Sequence, residues 1–343
     1  MGKTFWAAGS CRSFVSLKGG RVMITFPCCP SKEKDSTNVT NSPTRGAIRV
    51  GVTVLWQEPA QGRDYDRLIL QKNNDPAAWA GGMDVDRRLW LVNKAVTTAL
   101  LGEPVIILAR RGEWVKVAAV RQKTSIDVRG YPGWVPKDHI VSNDTYNHDL
   151  ATRFHVVVMD RTTGIFKNPG LTDQLIEASY MIRLPMLEKN DQVITIRLPD
   201  GGRGYLYRGC TNMVTDLHFS GAGIIREAKK FVDLPYIWAG TSAYGFDCSG
   251  FVMRLYQSQG ISIARDADEQ AWAGTAVAMG RLAPGDLVFY AGKGGVGPIH
   301  HVAMYAGDGM IIHSPNSNFP VSIQALDSPP YGEEYWGARR YFD

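Results

Sequence analysis

The sequence predicts a chain of three folded parts: two small all-β barrels followed by an α+β domain. Short β-type runs at close spacing occupy residues 47–142, and a second series occupies residues 150–216. From residue 217 to residue 343 the pattern changes to helical segments followed by strands, which is typical of an α+β domain. The length of 343 residues, with 44% apolar residues, is sufficient for several buried cores.

Residues 1–46 are predicted to form a disordered basic tail and linker. Seven Lys or Arg and only two acids lie in this segment, so it accounts for the formal charge of +5 and the remainder of the chain is balanced. Residues 31–46 are polar and aperiodic, with Pro and Gly, as linkers are. Because the charge is confined to a tail, no nucleic-acid partner is expected. No apolar run is long enough to predict a membrane span.

The first predicted barrel combines four strand-like runs with one insertion. The insertion, residues 57–96, is polar at first and ends in a segment with helix-like apolar spacing, Arg87 to Val96. The strand-like runs are AIRVGVTVLW (47–56), EPVIILA (103–109), EWVKVAAV (113–120) and GWVP (133–136).

The second predicted barrel repeats this order. Its strand-like runs are residues 153–160, 182–189, 192–201 and 204–209. The segments GYPGWVP (130–136) and GGRGYLY (201–207) occupy equivalent places in the two series. Since one strand order occurs twice, tandem barrels are the economical interpretation.

The third part places Cys248 at the predicted start of an amphipathic helix that ends at Gly260. Asp247, or the turn before it, would cap this helix, and the free N–H groups and dipole at a helix start stabilise a thiolate. The alternative is a buried structural cysteine, which is the commoner fate of this residue type. The apolar face of the helix is formed by Phe251, Val252, Leu255 and Tyr256. Helix position alone therefore leaves both interpretations open.

Three histidines, His300, His301 and His313, lie on two predicted neighbouring strands after this helix. A three-residue turn at residues 307–309 would place Ala303 opposite His313. Strand alternation then puts His301 beside His313 and sends His300 to the opposite face. A two-residue turn would break this arrangement. The pattern matters because a nucleophilic thiol needs a base, and the base needs an orienting group.

Four segments within residues 221–343 stand out in order: FDCSGFV, APGDLVFY, HHVAMYAGDG and MIIHSP. Together, and in this order, they resemble the signature blocks of the NlpC/P60 cysteine peptidases, which have a papain-like fold and a Cys-His-His triad. The two barrels resemble bacterial SH3 (SH3b) domains. The resemblance implies that Cys248 is the nucleophile, His301 the general base and His313 the group that orients His301. It implies no metal or organic cofactor.

Two SH3b domains before such a peptidase resemble the γ-D-glutamyl-L-diamino-acid endopeptidases of murein peptide turnover. The resemblance implies a murein peptide substrate and a carboxylate that pairs with the free amino group of its L-alanine. A desolvated ammonium gains more from such a pairing than an exposed one. The implied substrate-binding residues are Tyr236, Trp238, Ser249 and Asp266 of the peptidase part, with Glu103 and Tyr131 of the first SH3b domain. The alternatives are surface loop positions for the acids and ordinary packing for the tyrosines.

Three other functions remain open from the sequence. They are an amidase or hydrolase acting on intact peptidoglycan, a wall-binding SH3b protein with secondary peptidase activity, and a zinc site at Cys248, His301 and His313 that lacks an evident fourth ligand. The absence of a clear export signal and of a disulfide pattern favours a cytoplasmic location, with the cell envelope or secretion as the alternative. We expect a monomer.

Overall fold

The computed structural model describes residues 44–342, together with the backbone of two strands nearer the N-terminus. These strands, β1 (Arg12–Leu17) and β2 (Gly20–Thr25), pair as an antiparallel hairpin. The rest of residues 1–43 lies outside the described residues, so the disorder predicted for the tail stays a prediction. The folded part begins with a strand at Arg45, two residues before the predicted start.

Residues 45–141, here called the first β module, form a seven-stranded antiparallel sheet. Its strands are β3 (Arg45–Ile48), β4 (Val52–Trp56), β5 (Ala95–Leu100), β6 (Pro104–Arg111), β7 (Trp114–Ala119), β8 (Tyr131–Pro136) and β9 (Ile140–Val141). The insertion holds helices α1 (Arg67–Leu70), α2 (Pro76–Gly81) and α3 (Val85–Trp90). The predicted helical segment therefore stops at Trp90, and the chain enters strand β5 through Asn93, whose φ is 61°.

Residues 155–213, the second β module, follow helix α4 (Asp144–Thr152) and form another seven-stranded sheet. Its strands are β10 (His155–Val158), β11 (Thr162–Phe166), β12 (Gln174–Ser179), β13 (Arg183–Lys189), β14 (Val193–Arg197), β15 (Arg203–Tyr207) and β16 (Thr211–Met213).

The two modules share one strand order. The first sheet runs β5-β4-β8-β7-β6-β3-β9 and the second runs β12-β11-β15-β14-β13-β10-β16, so strands counted from the start of each module occupy identical places. The internal repeat predicted from the sequence is confirmed. Each sheet has two end strands that do not pair with one another, so among the described residues neither sheet closes into the predicted barrel.

The C-terminal domain, residues 221–342, has the predicted α+β composition with helices first. Its helices are α5 (Gly221–Lys229), α6 (Cys248–Gln257), α7 (Ala267–Ala271) and the four-residue α8 (Gly292–Gly295), which lies among the later strands. A two-stranded ribbon, β17 (Thr241–Ser242) and β18 (Gly245–Phe246), lies before α6. The main sheet has the order β19-β24-β20-β21-β22-β23, with strands β19 (Thr275–Val277), β20 (Leu287–Ala291), β21 (Ile299–Gly307), β22 (Met310–His313), β23 (Ser322–Ala325) and β24 (Tyr335–Arg340).

An aromatic cluster holds the C-terminal domain together and joins it to the second β module. The rings of Phe231, Phe246 and Phe251 are buried, with centroids 5.1 Å apart for Phe231 and Phe246. Tyr180 of the second module packs edge-on against Phe231 at 5.0 Å. Aromatic pairs at this spacing add about 0.5–1.5 kcal/mol beyond their buried area. Within residues 44–342 no helix combines the length and hydrophobicity that a membrane crossing requires.

Candidate active site

Cys248 is the first residue of α6, as the sequence predicts. Asp247 precedes it in extended conformation, and its carboxylate accepts a hydrogen bond of 2.7 Å from the Gly250 N–H. Position 250 requires glycine, because a Cβ there would collide with the Gly240 carbonyl oxygen. The cysteine is 9% exposed, so it is almost completely buried just below the protein surface.

The thiol of Cys248 is neutral at rest, which differs from the thiolate expected for a helix start. Burial raises the pKa of Cys248 to about 12, and the adjacent Asp247 carboxylate contributes to the rise. The N–H groups of Val302 and Ser249 and the Arg265 guanidinium oppose it only in part. A base must therefore remove the thiol proton during attack.

His301 and His313 form a direct pair in the sheet beside Cys248. The Nε2 atom of His301 lies 2.8 Å from Nδ1 of His313, and the ring centroids are 5.0 Å apart. Strand β21, which carries His301, packs against α6, which carries Cys248. The predicted pairing of the two imidazoles is confirmed. His300 takes no part in this pair: its Nε2 lies 3.1 Å from Glu334, and the residue lines the cavity that opens over Cys248.

The turn that produces this pairing is shorter than predicted. It has two residues, Asp308 and Gly309, both with positive φ (52° and 72°), as a type I′ turn requires. From the sequence, a turn of two residues was expected to break the arrangement that places His301 beside His313. A bulge at Ala306 inserts one extra residue into β21, so Met304 still pairs with Ile312 and the predicted register is kept.

Burial keeps both imidazoles neutral at pH 7. It lowers the pKa of His301 well below the usual range, and His313 beside it contributes; burial lowers the pKa of His313 to about 4. The Tyr331 ring stacks on His301 at 4.7 Å and meets His313 edge-on at 5.2 Å. Burial raises the pKa of Tyr331 to about 12, and Cys248 is close enough to add to this rise. Nothing in the sequence around Tyr331 signals this position.

A cavity of about 320 Å³ opens over Cys248 between the first β module and the C-terminal domain. It brings together five of the predicted substrate-binding residues: Tyr236, Trp238, Ser249, Asp266 and Tyr131. Gln57 and Asn93 of the insertion also line it and were not predicted. Nothing in the sequence indicates these two positions, because they come near Cys248 only when the first β module packs against the C-terminal domain.

Asp266 offers a half-buried carboxylate to this cavity. The Tyr131 hydroxyl donates a hydrogen bond of 2.8 Å to Asp266, across the boundary between the two parts. Burial raises the pKa of Asp266, although the Arg265 guanidinium and the Tyr131 bond oppose the rise. Arg265 is 3.9 Å from the carboxylate but is itself engaged with Asp247 at 2.6 Å. Asp266 can therefore accept a cationic group that enters the cavity.

The other lining residues are fixed by hydrogen bonds. The Trp238 indole N–H donates to the Ala95 carbonyl at 3.0 Å, which makes the ring a wall between the two parts. Arg265 donates to the Ser249 hydroxyl at 2.9 Å. Burial raises the pKa of the Tyr236 hydroxyl far above its usual range, and the neighbouring Cys248 adds to the rise, so the hydroxyl remains a donor.

The structure does not bring Glu103 into the cavity. Its carboxylate is 1% exposed and pairs with Arg254 at 3.2 Å, and Gln122 donates to it at 3.0 Å. The Leu100 N–H donates to its second oxygen at 3.2 Å. These bonds engage both oxygens of the Glu103 carboxylate, which is buried between the first β module and α6. The carboxylate therefore cannot contact a peptide bound in the cavity.

A metal site at the cysteine and histidines is not formed in the part of the chain described. No three side chains of His, Cys, Asp or Glu within residues 44–342 have the grouping of a metal centre. The facing nitrogens of His301 and His313 are instead engaged with each other.

Comparison with known proteins places these features in a family. Residues 233–340 match the model of the NlpC/P60 family, and residues 158–209 match that of the YKFC SH3b2 domain. The chain is 39% identical over 310 residues to a γ-D-glutamyl-L-lysine dipeptidyl-peptidase of Bacillus cereus, covering 87% of this chain and 91% of the relative. It is 33% identical to the protein of the same name in Bacillus subtilis, covering 85% of this chain and 97% of the relative.

A solved structure agrees with this result. The crystal structure of an NlpC/P60 family protein from Bacillus cereus superposes with a TM-score of 0.84 at 38% identity, covering 87% of this chain and all of the other. The similarity thus extends over the β modules as well as the catalytic part. The chain belongs to the NlpC/P60 family of cysteine peptidases and carries an SH3b domain ahead of its peptidase domain.

Proposed function

We propose that this protein hydrolyses the bond between γ-D-glutamate and the diamino acid in murein peptides that begin with a free L-alanine. The names of the Bacillus relatives support this bond and suggest L-lysine as the diamino acid. The observation that carries the proposal is the position of Asp266 in a cavity that also contains Cys248. A carboxylate near a nucleophile, in a site narrowed by the first β module, suits a short peptide with an ammonium terminus.

In this proposal Cys248 is the nucleophile and His301 is the general base. The Nε2 of His301 is engaged with His313, which leaves Nδ1 to take the thiol proton as sulfur attacks the γ-carbonyl carbon. His313 orients the base. The Cys248 N–H is our candidate donor to the oxyanion, with the Tyr236 hydroxyl as a second donor.

Collapse of the tetrahedral intermediate breaks the amide bond. His301 returns its proton to the leaving amine of the diamino acid, and a thioester between Cys248 and the glutamyl γ-carbonyl remains. Water then attacks the thioester while His301 accepts its proton, and the thiol is restored as the dipeptide leaves. Each proton taken by His301 is given back within the same half-reaction, so no cofactor is required.

We infer that the first β module is a second SH3b-like domain. Its strand order is that of the second module, which matches an SH3b family model. From the sequence we assign residues 47–142 to the first domain, 150–216 to the second and 217–343 to the peptidase; the first strand of the first domain already begins at Arg45. In this scheme the first domain serves as a wall of the site, and recycling of short peptides in the cytoplasm is the setting that we propose.

The decisive experiment compares two peptides, L-Ala-γ-D-Glu-L-Lys and its N-acetylated form. We expect the wild type to prefer the free amine by about 10–100-fold in kcat/KM, since a charge-assisted bond to Asp266 is lost on acetylation. Asp266→Asn should remove most of this preference while acting on the acetylated peptide at a near wild-type rate. Asp64→Asn, at a surface aspartate that is 95% exposed in its side chain, is the matched control. Equal rates of the wild type on both peptides would refute the role of Asp266.

The same assay separates the main alternative, an enzyme of intact peptidoglycan. Purified sacculi carry acylated L-alanine, so we expect no release of peptides from them by the wild type. Mass spectrometry of products from sacculi and from free peptide gives the answer. Cleavage of sacculi alone would overturn the recycling proposal and favour an amidase or wall hydrolase.

A further inference from the structure

The second ring nitrogen of His313 lacks a hydrogen-bond partner although the residue is completely buried. Nδ1 of His313 faces His301, but Nε2 has no partner among the described residues. Buried polar atoms are almost always paired, so an isolated one beside a candidate catalytic group calls for an explanation.

The proposed role of His301 as base dictates which nitrogen of His313 carries hydrogen. A base that accepts the thiol proton on Nδ1 must hold its other hydrogen on Nε2, and that hydrogen is donated to Nδ1 of His313. His313 is neutral at pH 7, since burial lowers its pKa to about 4, so its single ring hydrogen is then on Nε2. The reverse tautomer would place a hydrogen on His301 Nδ1 and leave no base for Cys248.

Gln324 supplies the group that can accept this hydrogen. Strands β22 and β23 pair His313 with Ser322 and Ile311 with Gln324, so strand alternation puts Gln324 on the same face as His313, one diagonal away. Interaction with the Gln324 side chain raises the pKa of His313 against the effect of burial.

The amide nitrogen of Gln324 is also buried and without a partner among residues 44–342. Nε2–H of His313 and the amide nitrogen are both donors and cannot bond. A half-turn of the amide exchanges its nitrogen and oxygen and presents an acceptor to His313. One rotation therefore gives the isolated Nε2 of His313 an acceptor and moves the Gln324 amide nitrogen out of a buried position where it has no partner. Within the described residues, Tyr331 is the only aromatic residue other than His301 whose ring packs against His313. The rings of Tyr331 and His313 are nearly perpendicular to each other.

We propose that Gln324 is a positioning residue whose side-chain oxygen accepts the Nε2 hydrogen of His313. It thereby selects the tautomer of His313 that lets His301 act as base, and this proposal rests on the proposed role of His301. The order of hydrogen bonds runs from His301 to His313 to Gln324, with each imidazole donating from Nε2. Gln324 does not touch the substrate.

Kinetics of two variants on L-Ala-γ-D-Glu-L-Lys test this role. Gln324→Leu removes the acceptor, and we expect kcat to fall about 10–100-fold while KM changes less than about twofold. Gln324→Glu retains an oxygen at the same reach, so most of kcat should return. Its carboxylate also favours a protonated His301–His313 pair, so the acid limb of kcat/KM should move to higher pH.

Ser322→Ala is the matched control, because Ser322 lies directly opposite His313 on the same strand as Gln324. It should leave kcat and the acid limb unchanged. Active sites are counted by alkylation of Cys248, so a loss of folded protein is not read as a loss of kcat. A Gln324→Leu enzyme with wild-type kcat, or a Gln324→Glu enzyme whose acid limb does not move, would overturn the proposal.

A measurement on the wild-type chain without substrate tests the role of Gln324 in a way that depends neither on the peptide specificity nor on whether the Gln324→Leu variant folds. Long-range ¹H–¹⁵N correlation spectra of the histidine rings in the wild-type chain report their tautomers. We expect His313 to be protonated at Nε2. Protonation at Nδ1 would refute the role of Gln324, whereas a failure to cleave the peptide would refute only the proposed substrate.

Discussion

Tyr131 and Asp266 lie in different parts of the chain, yet the hydroxyl of Tyr131 donates a 2.8 Å hydrogen bond to the Asp266 carboxylate. Burial, followed by the charge of Asp266, raises the pKa of Tyr131, so its hydroxyl remains a donor at neutral pH. The same boundary contains a bond of 2.8 Å from the Thr241 N–H to the Thr98 hydroxyl. The first β module is therefore part of the candidate site, although the second β module separates it from the C-terminal domain in sequence.

Removing the Tyr131 hydroxyl should weaken binding of peptides with a free amine. Tyr131→Phe leaves Asp266 with one partner fewer and less well oriented, so we expect KM to rise about tenfold, the effect of one bond to a charged group. Steady-state kinetics on L-Ala-γ-D-Glu-L-Lys measure this. Tyr207→Phe, at an exposed tyrosine of the second module, should behave as the wild type. An unchanged KM would show that Tyr131 serves packing alone.

Cys248→Ala and His301→Ala should each abolish hydrolysis, since one removes the sulfur nucleophile and the other removes its base. The matched control is Cys210→Ala, at the second buried cysteine of the described residues, which bonds to a carbonyl in the second module. Product formation is followed by mass spectrometry. Turnover by Cys248→Ala would contradict the acyl-enzyme mechanism.

Alkylation of Cys248 should show no plateau as pH rises. With a thiol pKa of about 12, the thiolate fraction increases about tenfold per pH unit from pH 6 to pH 9, and the rate with iodoacetamide should follow it. The rate is measured on the peptide that contains Cys248, because the chain has four other cysteines. A plateau that begins below pH 7 would indicate a preformed thiolate–imidazolium pair instead.

Glu103 should affect stability and leave the amine preference intact. Glu103→Ala leaves Arg254 buried without its charged partner, and we expect the free energy of unfolding to fall by about 3–5 kcal/mol. The double variant Glu103→Leu/Arg254→Met should recover much of that loss in urea unfolding. A folded Glu103→Gln enzyme that no longer preferred the free amine would mean that Glu103 acts on the substrate.

Acidification should destabilise the protein through its buried histidines. His139 and His313 are fully buried, and burial lowers the pKa of each to about 4, below the value near 6.5 of an unfolded chain. Their contribution is complete above pH 6.5 and is lost as pH falls toward the folded value, by about 2 kcal/mol each at pH 5. Urea unfolding at pH 7, 6 and 5 measures it. His148→Gln, at an exposed histidine, should leave the pH dependence unchanged; a flat dependence in the wild type would contradict the prediction.

The sequence was most informative where local rules are sufficient. The helix start at Cys248 follows from the capping residue Asp247, and the pairing of His301 with His313 follows from strand alternation once the register is known. The predicted register assumed a three-residue turn, whereas the turn has two residues. A bulge at Ala306 compensates for this difference, so the two strands still pair in the predicted register. A bulge depends on how neighbouring strands pack, so sequence spacing could not reveal it.

The sequence by itself determined the repeat of two β modules, the α+β domain and the cysteine and histidines that carry the proposed chemistry. Periodicity, turn residues and helix caps act over a few positions, which is why these features can be derived from the chain. Only the tertiary structure decided that Glu103 is enclosed by Arg254, that the Cys248 thiol is neutral and that Gln324 lies beside His313. Burial, charge neighbours and unpaired hydrogen-bonding atoms arise from contacts between residues far apart in sequence, and no local pattern records them.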